Sequence, residues 1–279
     1  MPSAIEQIYA IEFLSSQPIV FDIDIIYNAL KQHFIGVELV SPSDAEKQLP
    51  LFAFPEYSVE FDEEFVPVQI ALFPSDDEPI DHDLYAKSVQ QTWDWDGVGD
   101  VVSRCKHRAL ITDLLATRLD RHSRLELMQK VVQALLSVVD CEAIHWRPSQ
   151  KMVNPQAYLH NQTSADPDPL YGALNVRLFN IQGSTPPVFL MDTMGLAVLG
   201  LPDIQCHFIE LAPEAIANLL YSLGYYLLDK GDVIKDGETV QGLTLVDSWE
   251  CQHEISLIAP ERDVLDINPG KPYAVGDRD

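Results

Sequence analysis

Among the 279 residues, the groups best suited to chemistry are two cysteine–histidine pairs, Cys206-His207 and Cys251-x-His253. Thiolate and imidazole are soft ligands, and four of them would satisfy a tetrahedral zinc ion. The spacing argues against a shared site. Both pairs fall on expected strands, where successive side chains alternate between faces, so Cys206 and His207 diverge while Cys251 and His253 share a face. No metal site is expected. The remaining cysteines, Cys105 and Cys141, make no CxxC pair with these or with each other, and all four are expected to be reduced, small, buried groups.

The carboxylate pairs Asp62/Glu64 and Asp81/Asp83 have the donor type for calcium or for acid–base work. Both sit in turn-like stretches, where a solvated acidic face is the simpler reading. No GxSxG elbow and no HExxH occur, so the usual signatures of serine hydrolases and zinc proteases are missing. GxGxxG and the P-loop are also missing, so no nucleotide cofactor is expected, nor any other.

Charge is the least ordinary property of the chain. Its 43 acids and 18 bases give a formal net charge of −25. Residues 42 to 100 hold fifteen acids against two bases, whereas residues 104 to 130 hold seven bases against three acids. A molecule so arranged repels phosphate backbones and attracts basic proteins, so nucleic acid is not an expected partner and a basic protein is. The basic stretch at 118 to 130 offers a second use for the acidic region, a head-to-tail homodimer. Apolar residues make up 47% of the chain and charged ones 22%, a globular balance, and no run approaches the roughly 20 apolar residues of a membrane helix. The first residues lack the basic start of a secretory signal; a cytoplasmic location without membrane partners is expected.

The elements that must position these groups follow from periodicity. Tyr9 to Leu14 reads as a strand, and Asp22 caps a helix carrying Ile23, Ile26, Tyr27, Leu30 and Phe34 at helical spacing up to Gly36. Val37 to Val40 is a returning strand, and Tyr57 to Phe61 with Val66 to Phe73 form a hairpin around Asp62-Glu63-Glu64. A second helix starts at Asp81 and reaches Trp93. Strand, helix, strand recurs over Arg108 to Leu115, residues 121 to 139 and Cys141 to Trp146. Residues 147 to 171, with four prolines, read as an irregular loop. Strands at 173 to 179, 188 to 192 and 203 to 210 precede a long helix from Pro213 to Lys230, a strand from Trp249 to Ile258 and an extended tail after Pro260. The expected fold is α+β, with antiparallel or mixed sheets covered by helices and two ferredoxin-like βαββ halves. The expected division is an acidic subdomain at 1–100 and a second α+β subdomain at 101–279.

Residues 188 to 203, VFLMDTMGLAVLGLPD, and the later GDVIKDGETVQG hold Asp192, Thr193, Gly195, Gly200, Pro202, Asp203, Asp236 and Gly237. This pattern resembles the bacterial family called domain of unknown function 4261, whose members carry a D-T-x-G-L…L-G-L-P-D element, a long helix and a D-G-x-T turn. The resemblance implies a fold and no activity. Physically, Gly195 and Gly200 permit backbone closed to other residues, and Asp192 and Thr193 can bond turn amides, so a strand corner is expected, with a displayed binding surface as the alternative.

The function these observations favour is noncatalytic protein binding. Its most concrete form is an immunity protein that occludes the active site of a basic, nuclease-like toxin domain through Asp62, Glu63, Glu64, Asp76, Asp77 and Glu78, with Trp93 and Trp95 as anchors. The alternative is an enzyme acting on a small cationic or neutral substrate with loop carboxylates.

Overall fold

A computed structural model describes residues 8–40, 49–75, 78–181 and 183–276. The chain separates into two compact units between Ala173 and Leu174. The expected boundary near residue 100 falls inside the first unit, because strands on either side of it pair: Ala10–Ser15 lies between strands from 107–114 and 143–146.

In the first unit, β1 (Ala10–Ser15), β2 (Glu38–Leu39), β3 (Leu51–Phe61), β4 (Glu64–Phe73), β5 (His107–Leu114), β6 (Ala143–Trp146) and β7 (Lys151–Val153) form one antiparallel sheet in the order β2-β3-β4-β5-β1-β6-β7. α1 (Ile23–His33) follows β1, and α4 (Arg121–Leu136) joins β5 to β6, after α2 (Ala86–Gln90) and α3 (Val98–Arg104). The subset β4-β5-β1-β6 with α1 and α4 is the split βαββαβ plan, widened by β2, β3 and β7. α1 starts where the Asp22 carboxylate accepts the Ile25 amide, as the capping residue predicts. Its aromatic side chains meet the sheet through Tyr27 on Phe52 and Phe34 on Phe54, ring centroids 6.2 and 4.7 Å apart. On the other face, Leu14, Ala143 and Met152 pack with Tyr85, Val98, Val102 and Cys105 of the α2–α3 region. Sheet alternation thus buries β1 on both sides: it is the centre of the unit.

Two segments differ from expectation here. The helix expected from Asp81 to Trp93 is a 3-10 turn at His82–Tyr85 followed by α2, ending at Gln90. The stretch expected to be an irregular loop contains β7 and α5 (Pro155–Gln162), whose N-cap Asn154 accepts the Gln156 and Ala157 amides with Pro155 in the first turn.

The second unit is a six-stranded sheet in the order β11-β12-β13-β10-β9-β8, built from β8 (Asn175–Ile181), β9 (Val188–Met194), β10 (Asp203–Ile209), β11 (Thr239–Val240), β12 (Trp249–Ile255) and β13 (Asp263–Asn268). All pairs are antiparallel except β10 with β13. α6 (Pro213–Lys230) buries Ile216, Leu220, Leu223, Gly224, Leu227 and Leu228. Gly224 is needed because a Cβ there would lie 2.7 Å from Leu174 Cδ2. The α+β class stands, and the tail after Pro260 supplies β13 near the sheet centre instead of an extended arm.

Candidate functional site

Three places gather polar or acidic side chains. The first is the family-like corner between β9 and β10. Gly195 has φ +122°, and Gly200 closes the 3-10 turn Ala197–Leu199 at φ +74°, both backbone regions that favour glycine. Pro202 then leads into β10. Asp203 Oδ1 accepts the Thr193 hydroxyl at 3.0 Å and the Leu196 amide at 3.1 Å, and Thr193 Oγ1 accepts the Ile204 amide at 2.8 Å. The turn is closed by its own side chains.

Beneath the corner lies a buried ionic network. Asp192 Oδ1 accepts Arg177 Nε at 2.8 Å, and Oδ2 accepts Arg177 Nη2 at 2.5 Å and Arg262 Nη2 at 2.9 Å. Arg262 Nε also donates to Asp203 Oδ2 at 3.0 Å, and the same guanidinium reaches the carbonyls of Thr193, Ile258 and Pro260. Arg177 and Asp192 face each other directly across β8 and β9. Burial pushes the Asp203 carboxyl above its ordinary value, against the pull of Arg262, the Leu196 amide and Thr193. The bidentate and forked bonds leave these aspartates no face toward solvent, so the network is a clamp joining the corner to the β12–β13 loop. The later turn is separate and exposed. Gly237 (φ +80°) makes the bend, and Asp236 Oδ1 accepts the His253 amide at 2.8 Å and lies 2.7 Å from His253 Nδ1, while His253 Nε2 is 3.0 Å from Asp232 Oδ1.

The cysteine–histidine pairs do not converge. Cys206 and Cys251 flank Ile267 of β13 from opposite sides, two strand spacings or about 10 Å apart. His253 is engaged with the two aspartates. No group of three or more His, Cys, Asp or Glu side chains able to hold a metal occurs among the described residues.

The second place is the acidic surface. β5 pairs with β4 over Gln69–Phe73, and β2 pairs with β3 at Phe52 and Ala53, so Ser58–Phe61 and Glu64–Pro67 form a two-stranded finger without flanking strands among the described residues. A register shift between Phe54 and Ser58 bends it. Asp62 and Glu63 make its turn with φ of 47° and 70°, and Glu64 and Phe65 follow, Phe65 being 74% exposed. Arg118 braces the finger: its Nη1 donates to Glu60 O at 2.7 Å and its guanidinium lies 4.0 Å from the Phe61 ring centroid. That arginine, part of the basic stretch suggested as a contact to a second copy, is engaged within the chain, as is Arg124 on Asp113 at 2.7 Å. Trp93 (49% exposed) and the half-buried Trp95 lie elsewhere, beside β7, where Asp94 pairs with Lys151 and Trp95 packs near Met152. Three strands separate β4 from β7, a span of about 19 Å, so the finger and the tryptophans are two patches and not one. Glu78 is exposed; Asp76 and Asp77 lie outside the described residues.

The third place was not singled out in the sequence. His145 Nδ1 lies 2.8 Å from Glu12 Oε2, and His145 Nε2 lies 3.0 Å from Ser88 Oγ. The three side chains come from β1, α2 and β6 and are all buried. Burial works to raise the Glu12 carboxyl, but the His145 bond and the cations of Arg147 and Arg108, 4.0 and 3.9 Å away, hold it below its ordinary value. Serine, imidazole and carboxylate in this order can shuttle a proton from the hydroxyl to the ring. Against a catalytic use, Ser88 lies within a helix and not on a sharp strand-to-helix turn, and it does not line the cleft beside β7. The sequence signal was present in a weak form: Glu12 and His145 are single polar residues in the apolar strands AIEFLS and AIHW, and buried charges are almost always paired.

No helix among the described residues is long and apolar enough to cross a membrane. No curated protein and no solved structure matches the chain. Residues 192–268 match the model of the family described as Domain of unknown function (DUF4261), a span that opens on the clamped Asp192 and closes on the last residue of β13.

Proposed function

We propose that the chain is a noncatalytic protein-binding protein whose β3–β4 finger docks on a basic partner. The observation that carries this reading is Phe65, three-quarters exposed on a braced, acidic finger tip. An exposed aromatic set among Glu60, Asp62, Glu63 and Glu64 offers an anchor that docking would bury, within a field that steers cations. Bracing by Arg118 reduces the ordering cost of docking. A basic nuclease-like toxin domain, occluded by carboxylates standing where its substrate phosphates would lie, is the partner that fits best. Cytoplasmic residence agrees with the four reduced cysteines and belongs to the same proposal.

The test is surface plasmon resonance on a partner captured with the native chain, at about 50 and 500 mM salt, where the Debye length falls from roughly 14 to 4 Å. Joint replacement Asp62→Asn, Glu63→Gln, Glu64→Gln should slow association at low salt, and Phe65→Ala should speed dissociation. Association indifferent to salt and to all three charges would reduce the acidity to a solubility device. Sedimentation at both salts tells a heterologous partner from a second copy of the chain.

One observation favours an enzyme instead, the Ser88–His145–Glu12 chain. A fluorophosphonate probe that labelled the native chain but not Ser88→Ala would establish a nucleophile and overturn the noncatalytic reading.

A further inference from the structure

A cleft of about 180 Å³ opens beside β7, lined by Asp94, Trp95, Met152, Val153, Asn154 and Tyr171 together with Ala157. Its volume is below the roughly 300–1,000 Å³ of sites for drug-sized ligands and several times the about 30 Å³ of one water, so it suits a head group of a few heavy atoms. The lining combines two aromatic rings, an apolar floor from Met152, Val153 and Ala157, and one carboxylate. The chain itself places an ammonium beside this carboxylate. Lys151 Nζ lies 2.9 Å from Asp94 Oδ2 and 5.9 Å from the centroid of the Tyr171 ring, with its side chain 8% exposed while that of Asp94 is 48% exposed. An alkylammonium is thus already accommodated by this carboxylate and this ring, from the protein side, and the carboxylate still faces water.

Local charge remains negative after that pairing. Burial pushes the Tyr171 hydroxyl up, Asp94 and Asp168 push it further, and Lys151 alone opposes them. Two carboxylates against one ammonium disfavour an anionic ligand, and aromatic faces next to a carboxylate are the surroundings in which methylated or primary ammonium groups gain from both the ring quadrupole and the charge.

We propose that this cleft binds a small alkylammonium group, held by Asp94 beside the rings of Trp95 and Tyr171. The group is either the head of a free small cation or a lysine side chain presented by a polypeptide. The inference stands on the cleft and not on the finger, so either can fail without the other.

The experiment follows the indole N–H resonance of Trp95, identified by its loss in Trp95→Phe, while the full chain is titrated at constant ionic strength. The probes are choline, Nα-acetyl-lysine N-methylamide and their neutral counterparts, 3,3-dimethylbutan-1-ol and the Nε-acetylated lysine derivative. At least one cation should shift the resonance saturably, with its neutral counterpart about tenfold weaker. Choline alone binding identifies a free cation, and the lysine derivative alone a polypeptide side chain; both support the site. Asp94→Asn, at an exposed position, should weaken cation binding about fivefold or more, and Lys151→Met, which removes the internal competitor, should tighten it. The finger variant Asp62→Asn, Glu63→Gln, Glu64→Gln should bind the probes as the native chain does. No saturable shift by either cation, equal binding of the neutral counterparts, or binding indifferent to both Asp94→Asn and Lys151→Met would overturn the proposal.

Discussion

The finger turn at Asp62-Glu63 and the corner from Asp192 to Asp203 are both built on acidic side chains, and they use charge in opposite ways. At the finger the carboxylates stay in water, where each ion is worth little to folding and its field reaches outward. At the corner, Asp192 and Asp203 are fully buried, and each is met by at least one arginine bond and, for Asp203, by an amide and a hydroxyl. A buried carboxylate without its cation would cost several kcal/mol, so the same residue type that is dispensable to folding in one unit is indispensable in the other. The family match falls on the corner and not on the finger. The buried ionic network thus lies within the matched segment, while the surface proposed for docking lies outside it.

The largest expected effect breaks the clamp. Arg262→Met should destabilise the second unit by about 3–5 kcal/mol, because Asp203 and Asp192 then remain buried with one cation between them; urea denaturation monitored at Trp249 would measure it. A change below about 1 kcal/mol would mean water or another donor reaches the site.

Next in size is Glu12, the buried acid of the first unit. Glu12→Gln should cost about 1–3 kcal/mol by weakening the charge-assisted bond to His145. Its carboxyl is held below the ordinary value of 4.5, so the stability it adds is fully present above that value. That stability should vanish as pH falls below 4.5 through the lower folded value, and the pH dependence of unfolding should flatten in Glu12→Gln.

Smaller effects come from the backbone. Gly200→Val should cost about 1–2 kcal/mol, the penalty of a left-handed conformation, since the space around its Cβ position is open. Gly195→Val should cost somewhat more, up to about 3 kcal/mol, because φ +122° lies further from any region a branched residue adopts. Thermal melts of both variants compared with partner binding separate scaffold from surface: a variant that melts like the native chain yet loses its partner would make the corner a binding site.

The smallest effects are at exposed charges. His253 is pulled down by burial but raised overall by Asp236 and Asp232, so its folded value lies above 6.5. The stability it adds is present below 6.5 and is lost as pH rises through that higher value. Proton NMR of the imidazole should show the raised titration, and Asp236→Asn should lower it. Joint neutralisation of Asp62, Glu63 and Glu64 should change stability by no more than about 0.5 kcal/mol while it slows association, which is the comparison in its sharpest form.

Much of the fold was legible because local rules dominated there. α6 begins at Pro213 and ends at Lys230 as its apolar face and the following Gly231 indicate, and the Asp22 cap places α1. α5 was missed because PQAYLHNQ carries little apolar periodicity, although Asn154 and Pro155 signal a helix start. β13 was missed although it returns antiparallel along β12, Ile255 opposite Asp263; its other neighbour, β10, pairs with it in parallel from about 60 residues away, as Cys206 does with Ile267. The corner was readable as a corner from its glycines and proline. Its arginines were not, since Arg177 and Arg262 approach Asp192 from 15 and 70 residues away. The Ser88–His145–Glu12 chain spans 57 and 133 residues, so no local spacing encodes it.

The cross-strand pair of Arg177 with Asp192 also bears on where the second unit can be cut. A fragment excised at the family boundary would begin at Asp192 and so discard β8 and most of β9. It would lose one of the two guanidiniums on Asp192, remove Leu174 from beneath Gly224, and leave β10 as a newly bared sheet edge, a ready template for aggregation. A fragment starting at Leu174 keeps all three, and it alone should remain soluble and monomeric on its own.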